Sequence, residues 1–179
     1  MLQPPSFVLR ALLGSASLLT VPRAGAAWPG YISHMPDGDK IKDNALALYD
    51  LPGQKDGRLM KTGKVLFHNE IQVKCRCLDF QTGWSKMEAI ATYLDSLHLK
   101  GIDAGNYLYL VQAASRSTVI PLGVEVGTSK RRYLFTLNVS LPMTEEYNAD
   151  IGENDEFYDA QGALYTLVHV DFPVWFEGA

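Results

Sequence analysis

The stretch Glu70-Ile71-Gln72-Val73-Lys74-Cys75-Arg76-Cys77 decides the fold class. Ile71, Val73, Cys75 and Cys77 alternate with Glu70, Gln72, Lys74 and Arg76, so one side is apolar and the other polar. A period of two marks a strand with one buried and one wet face. Just beyond it, Trp84, Met87, Ile90, Ala91, Leu94 and Leu97 recur at helical spacing and predict a helix from about Gly83 to His98. Ser85-x-x-Glu88 is its candidate capping box, and Lys100-Gly101 its stop. A half-buried strand that feeds an amphipathic helix calls for a sheet on which the helix lies.

Toward the carboxyl end, Tyr107–Ala114 is apolar almost throughout and predicts a strand covered on both faces. Thr118–Val126 alternates, with Ile120, Leu122, Val124 and Val126 on one side. Arg132–Leu141 does the same with Tyr133, Phe135, Leu137, Val139 and Leu141, and Gly127-Thr128-Ser129-Lys130 joins the two as a hairpin. Toward the amino end, Ala45–Tyr49 predicts a strand that closes on the turn Asp50-Leu51-Pro52-Gly53, and Gly30–Ser33 a shorter one. His34–Asp43 is a polar connector with the turn signal Pro36-Asp37-Gly38. Gln54–Asn69 is polar and basic, an exposed loop or loose hairpin carrying Lys55, Arg58, Lys61 and Lys64.

The amino terminus has two readings. Phe7–Val21 followed by Ala24-Gly25-Ala26 has the outline of a secretory signal, but Arg10 interrupts the apolar run and no basic residue precedes it. Phe7, Val8, Ala11, Leu12, Ser15, Leu18 and Leu19 also fit an amphipathic helix entered through Pro4-Pro5-Ser6, with Ser6 as candidate cap. The packed helix is the reading carried forward. Together the elements predict an α+β domain over residues 1–141: a twisted, mainly antiparallel sheet with two helices packed on one face.

From Pro142 the periodicity fails, and 142–179 is expected to form an extended acidic arm with one further strand at Ala163–Val170. This segment holds nine acidic residues and no Lys or Arg. The remaining 11 acidic residues face all 16 basic ones in 1–141, leaving that part at +5. Opposite signs on body and arm favour contact, within one chain or between copies. Tyr147, Phe157, Tyr158, Phe172, Trp175 and Phe176 put large apolar rings on the arm, and rings of that size seek a surface to cover. With Lys55, Arg58, Lys61 and Lys64 they are the candidate protein-interface residues.

Catalytic signals are absent. No GxSxG, HExxH or phosphate-loop pattern occurs, and His34, His68, His98 and His169 are scattered. Cys75 and Cys77 point the same way along a strand, too far apart to bridge without distortion, and nothing nearby completes a metal set. No catalytic, cofactor or metal residues are therefore expected. The basic residues are scattered rather than interleaved with aromatics, which argues against a sequence-specific nucleic-acid groove. No apolar run reaches the roughly 18 residues of a membrane span.

Four segments in order resemble the tail terminator (minor capsid, or tail completion) proteins of long-tailed bacteriophages. They are Trp28–Ser33 with Met35-Pro36-Asp37, Ala45–Gly53, Ile71–Phe80 leading into the helix through Leu97, and Gly127–Leu141 with Arg131-Arg132-Tyr133-Leu134-Phe135. The resemblance covers about Phe7–Leu141 and implies a virion protein with no catalysis and no cofactor. It implies a ring, usually of six copies, that ends tail-tube polymerisation and docks the tail to the head connector. The implied partners are copies of itself, the tube protein and a connector or head-closure protein. Another neck component, and a secreted or periplasmic binding protein, stay open as alternatives.

Overall fold

Alternation carries two strands into the middle of the sheet. In the computed structural model the described residues are 3–23, 25–37, 42–58, 65–104, 107–125, 131–147 and 167–168. They form α1 (Pro5–Ser15), β1 (Gly30–Ile32), β2 (Ala45–Arg58), β3 (Val65–Cys77), α2 (Phe80–Asp95), β4 (His98–Ala104), β5 (Tyr107–Ala113), β6 (Ser115–Arg116), β7 (Ile120–Glu125), β8 (Arg132–Tyr147) and β9 (Leu167–Val168). The sheet order is β1-β2-β3-β8-β5-β4-β9, with β6 and β7 also on β8. Only β1–β2 and β4–β9 are parallel. Along one edge of β8 the chain from β5 through β6 to β7 runs antiparallel to it, and β3 occupies the other edge.

Register aligns the apolar rows. Ile71, Val73 and Cys75 stand opposite Val139, Leu137 and Phe135, and all six are fully buried. Onto this floor α2 lays Met87, Ile90, Ala91 and Leu94, while α1 adds Val8, Leu9, Leu12 and Leu13 to the same cluster. Each such side chain contributes about 1.5–3 kcal/mol when fully buried. The expected α+β class, with two helices on a mainly antiparallel sheet, is therefore present.

The two helices start by different means. At α2, Asp79 is the N-cap, its Oδ2 accepting from the Thr82 N–H at 2.7 Å. The expected capping box from Ser85 to Glu88 thus lies inside the helix, because Asp79 already satisfies the first turn. Ser6 is not the cap of α1. It lies in the first turn and donates to Asp50 of β2, N–H to Oδ1 at 2.8 Å and hydroxyl to Oδ2 at 2.7 Å. A sheet carboxylate thereby fixes a helix N-terminus, where negative charge is favourable. The helix stops at Ser15, short of Leu19: Ser17 has φ 57°, and the Leu18 N–H reaches back to the Leu13 carbonyl. Leu19 folds back against Gly30, where a Cβ would come within 2.9 Å of it.

Four other expectations change. Asp50-Leu51-Pro52-Gly53 does not end β2. The register shifts between Leu51 and Gln54, so the proline and glycine are absorbed in a bulge. Gly53 is required there, since a Cβ would lie 2.5 Å from the His68 carbonyl oxygen. Gln54–Arg58 therefore belongs to β2 and Val65–Asn69 to β3, paired antiparallel, in line with the hairpin alternative for this stretch. Next, α2 ends at Asp95 rather than His98, and Lys100-Gly101 falls inside β4, with Ile102 and Ala104 in the core. In β7 the alternation misleads, for Ile120 and Leu122 are 43% and 52% exposed. Finally, β8 runs through Pro142 to Tyr147. Pro142 falls between the Ser140↔Ser115 and Met143↔Val111 pairs, in the break between β6 and β5, which suits a residue without an N–H. The arm lies outside the described residues beyond Tyr147, except for β9.

Candidate functional site

The polar side of β3 and β8 is drier than its sequence suggests. Arg76 and Arg132 are buried, with 2% and 4% exposure. Arg132 donates from Nε to Asp43 Oδ1 at 2.8 Å and from Nη1 to Asp37 Oδ1 at 2.6 Å, with Glu125 Oε2 at 3.6 Å. Arg76 donates from Nη2 to the Pro36 carbonyl at 2.9 Å and holds Asp37 at a looser 3.8 Å. Two guanidinium groups thus hold Pro36, Asp37 and Asp43 over the sheet. The hydrogen bond that Arg132 donates to Asp37, and with it that to Asp43, raises the Arg132 pKa against the opposing effect of burial. Arginine stays charged at any working pH, so the clasp fixes geometry and shuttles no proton.

Beside the clasp lies a cavity of about 230 Å³ lined by Asp37, Tyr49, Lys74, Arg76, Leu122 and Glu125, among others. Burial raises the Tyr49 pKa, and the Arg76 charge offsets part of that rise. The lining sets Lys74 and Arg76 against Asp37 and Glu125. No group of three metal-ligating side chains occurs among the described residues. The sequence missed this cluster because Arg76 falls on the polar phase of an alternating strand, where arginine ordinarily reaches water.

On the opposite face, Cys75 and Cys77 are free and buried, as expected. The Cys77 thiol donates to the Asp79 carbonyl at 2.8 Å. A hydrogen bond between the two sulfurs raises Cys75 and lowers Cys77. Both are fully buried, so neither meets a solvent-borne substrate. Phe80 and Trp84 stack over this corner, with Phe135 and Tyr133 beside them.

The interface residues expected from sequence fall mainly outside the described part. Lys55 and Arg58 lie on the distal part of β2, and Tyr147 is the last residue of β8, but their side chains are not described. Lys61, Lys64, Phe157, Tyr158, Phe172, Trp175 and Phe176 lie outside it altogether. The described interface candidates are the ones that sequence placed in the core: Ile120 and Leu122 on β7, which pairs with β8 alone among the described residues. Leu78 and Phe80, at the start of α2, are likewise exposed.

No helix among the described residues is long and apolar enough to cross a membrane. No protein-family model matches the chain, and a search of curated proteins finds no relative.

Proposed function

We propose that this chain is a structural subunit of a phage particle, a tail terminator that assembles as a ring at the head-proximal end of the tail. The observation that carries the reading is where its exposed side chains and strand edges lie. Strands β2 and β3 pair antiparallel out to Arg58 and Val65, and the sequence Gln54–Asn69 carries the basic residues. The β7 edge presents Ile120 and Leu122, and α2 begins with exposed Leu78 and Phe80. Several separate contact surfaces on one small domain suit a subunit that binds its neighbours, a tube below and a connector above. The buried polar groups form a clasp rather than a reaction centre, which suits a non-enzymatic part in a virion. The order of sequence segments that resemble terminators supports the terminator reading in particular.

The test is the mass of the purified chain by light scattering, alone and with tail tubes, together with electron microscopy of the same samples. Closed rings, or rings on tube ends, are the expected result. A protein that stays monomeric at every concentration and does not bind tube ends overturns the proposal. Binding to a portal-side connector without binding to tubes points to another neck component instead.

A further inference from the structure

The cavity beside the two arginines carries the next inference. Two buried polar atoms without a hydrogen-bond partner belong to residues of its lining, Arg76 Nε and Glu125 Oε2. Arg76 is 2% exposed, and it commits Nη2 to the Pro36 carbonyl and only a 3.8 Å contact to Asp37. Glu125 Oε2 stands 3.6 Å from Arg132 Nη1, beyond hydrogen-bond range, because Arg132 gives its shorter bonds to Asp37 and Asp43. Register brings the two residues to one place. Arg76 pairs with Leu134 on one edge of β8, and Glu125 pairs with Arg132 on the other, two residues along. Positions two apart share a face, so both side chains rise from the same side of the sheet. Folded chains pair nearly all of their buried donors and acceptors. Here one donor and one acceptor are left over together.

The rest of the lining selects what fits. Lys74 is held over the Tyr49 ring, its Nζ 4.9 Å from the centroid. Met35, Leu122 and Leu134 supply apolar wall, and Lys74 and Arg76 cancel the charges of Asp37 and Glu125. A carboxylate answers Arg76 but brings a like charge to Glu125 and leaves its oxygen unpaired. An ammonium does the reverse. Water can pair with both atoms but not with the apolar wall, and the cavity's volume of about 230 Å³ is several times the roughly 30 Å³ of one water. A carboxamide is neutral and carries an acceptor and two donors on one planar group. We propose that this cavity binds a carboxamide on a short apolar stem. Its oxygen accepts from Arg76 Nε, its NH₂ donates to Glu125 Oε2, and the stem lies against Leu122 and Leu134. A free small amide and an Asn or Gln side chain of a neighbouring copy present the same group, and a single chain holds the whole site.

Butyramide titrated into the full chain at neutral pH tests it, with the Arg76 Nε–H resonance followed by proton–nitrogen NMR. That resonance should move downfield and saturate. Butyramide should bind about tenfold or more tightly than butyrate, butylammonium or butanol, since each of these leaves a buried partner unpaired or misplaced. Glu125→Ala, at the end of β7, should weaken butyramide about tenfold with an unchanged circular dichroism spectrum. A resonance that moves on self-assembly without additive assigns the amide to a neighbouring copy; one that moves only with butyramide assigns it to a free ligand. An Arg76 signal that butyramide leaves in place, or an equal response to butanol, overturns the proposal and gives the cavity to water.

Discussion

Replacing Gly83 with alanine sets two known effects against each other. Gly83 lies in the first turns of α2, and alanine there gains about 1 kcal/mol in helix propensity. The position is closed on the sheet side, however. A Cβ would sit 2.3 Å from Cys77 Sγ and 2.5 Å from Phe135 Cε2, where van der Waals contact begins near 3.5 Å. Neither neighbour can retreat, because Cys77 and Phe135 are fully buried and Phe80 and Trp84 flank the Phe135 ring. The helix must lift from the sheet by more than an ångström, which loosens Met87, Ile90 and Leu94 as well. Overpacking of this kind costs about 1–3 kcal/mol, and here it reaches the upper end before the propensity gain is subtracted. The expected net loss is about 1–2 kcal/mol, a Tm drop of roughly 3–8 °C in a chain of this size. Urea unfolding followed by circular dichroism measures it. In a Phe135→Leu background the same substitution should be nearly neutral, with a coupling of about 1–2 kcal/mol between the sites. A Gly83→Ala variant as stable as the parent, or more so, refutes the close approach of α2 to β3 and β8.

Four other outcomes are expected. Asp50→Ala leaves the fully buried Ser6 hydroxyl without its acceptor and uncaps α1, so stability should fall by about 1–3 kcal/mol in urea titration. Arg132→Met removes the buried guanidinium that bonds Asp37 and Asp43 and should cost about 2–4 kcal/mol in urea titration. The hydrogen bonds from Thr82 hold the Asp79 carboxyl below its ordinary 3.8, so its contribution is complete above that value and disappears as pH falls through the lower folded one. Asp79→Asn keeps a competent cap, and its urea midpoint should change less than the parent's across that acidic window. Reversing Lys55, Arg58 and Lys61 to glutamate should reduce the yield of joined particles in an in vitro tail-joining assay, and an unchanged yield removes the hairpin from that contact.

Much of the architecture was legible because local pattern and tertiary demand agree where strands are half-buried. In β3 and β8, and along α2, the apolar period alone picks out the buried face. The pattern failed where one residue serves two ends. Pro52-Gly53 and Pro142 are turn and break signals by composition, yet long strands absorb them at a bulge and at a gap between neighbouring strands. Ile120 and Leu122 alternate as a core strand does, but β7 lies at the sheet margin, and nothing local reports how many neighbours a strand has. The Arg76–Arg132 clasp was invisible for the complementary reason: its carboxylates come from a connector more than 30 residues from either arginine, apart from Glu125.

These failures share a direction, and it bears on function. Where sequence and structure disagree, the structure places apolar groups outside and charged groups inside. A buried Arg–Asp clasp is weak evidence for stability, since an apolar replacement of similar volume often does as well. What the clasp supplies is a fixed position for Pro36, Asp37 and Asp43 against the sheet. Exposed Ile120 and Leu122 are of little use to a monomer, and Pro121 with the Gly123 bulge keeps β7 from offering a clean ladder edge. The β7 surface is thus suited to side-chain packing rather than strand addition, whereas the β4 edge accepts a strand. An exposed apolar face carried on a rigid sheet is what the proposed self-assembly would use. If that is its use, Leu122→Asp should block assembly while leaving the monomer folded. Assembly that survives Leu122→Asp would leave β7 without a part in it.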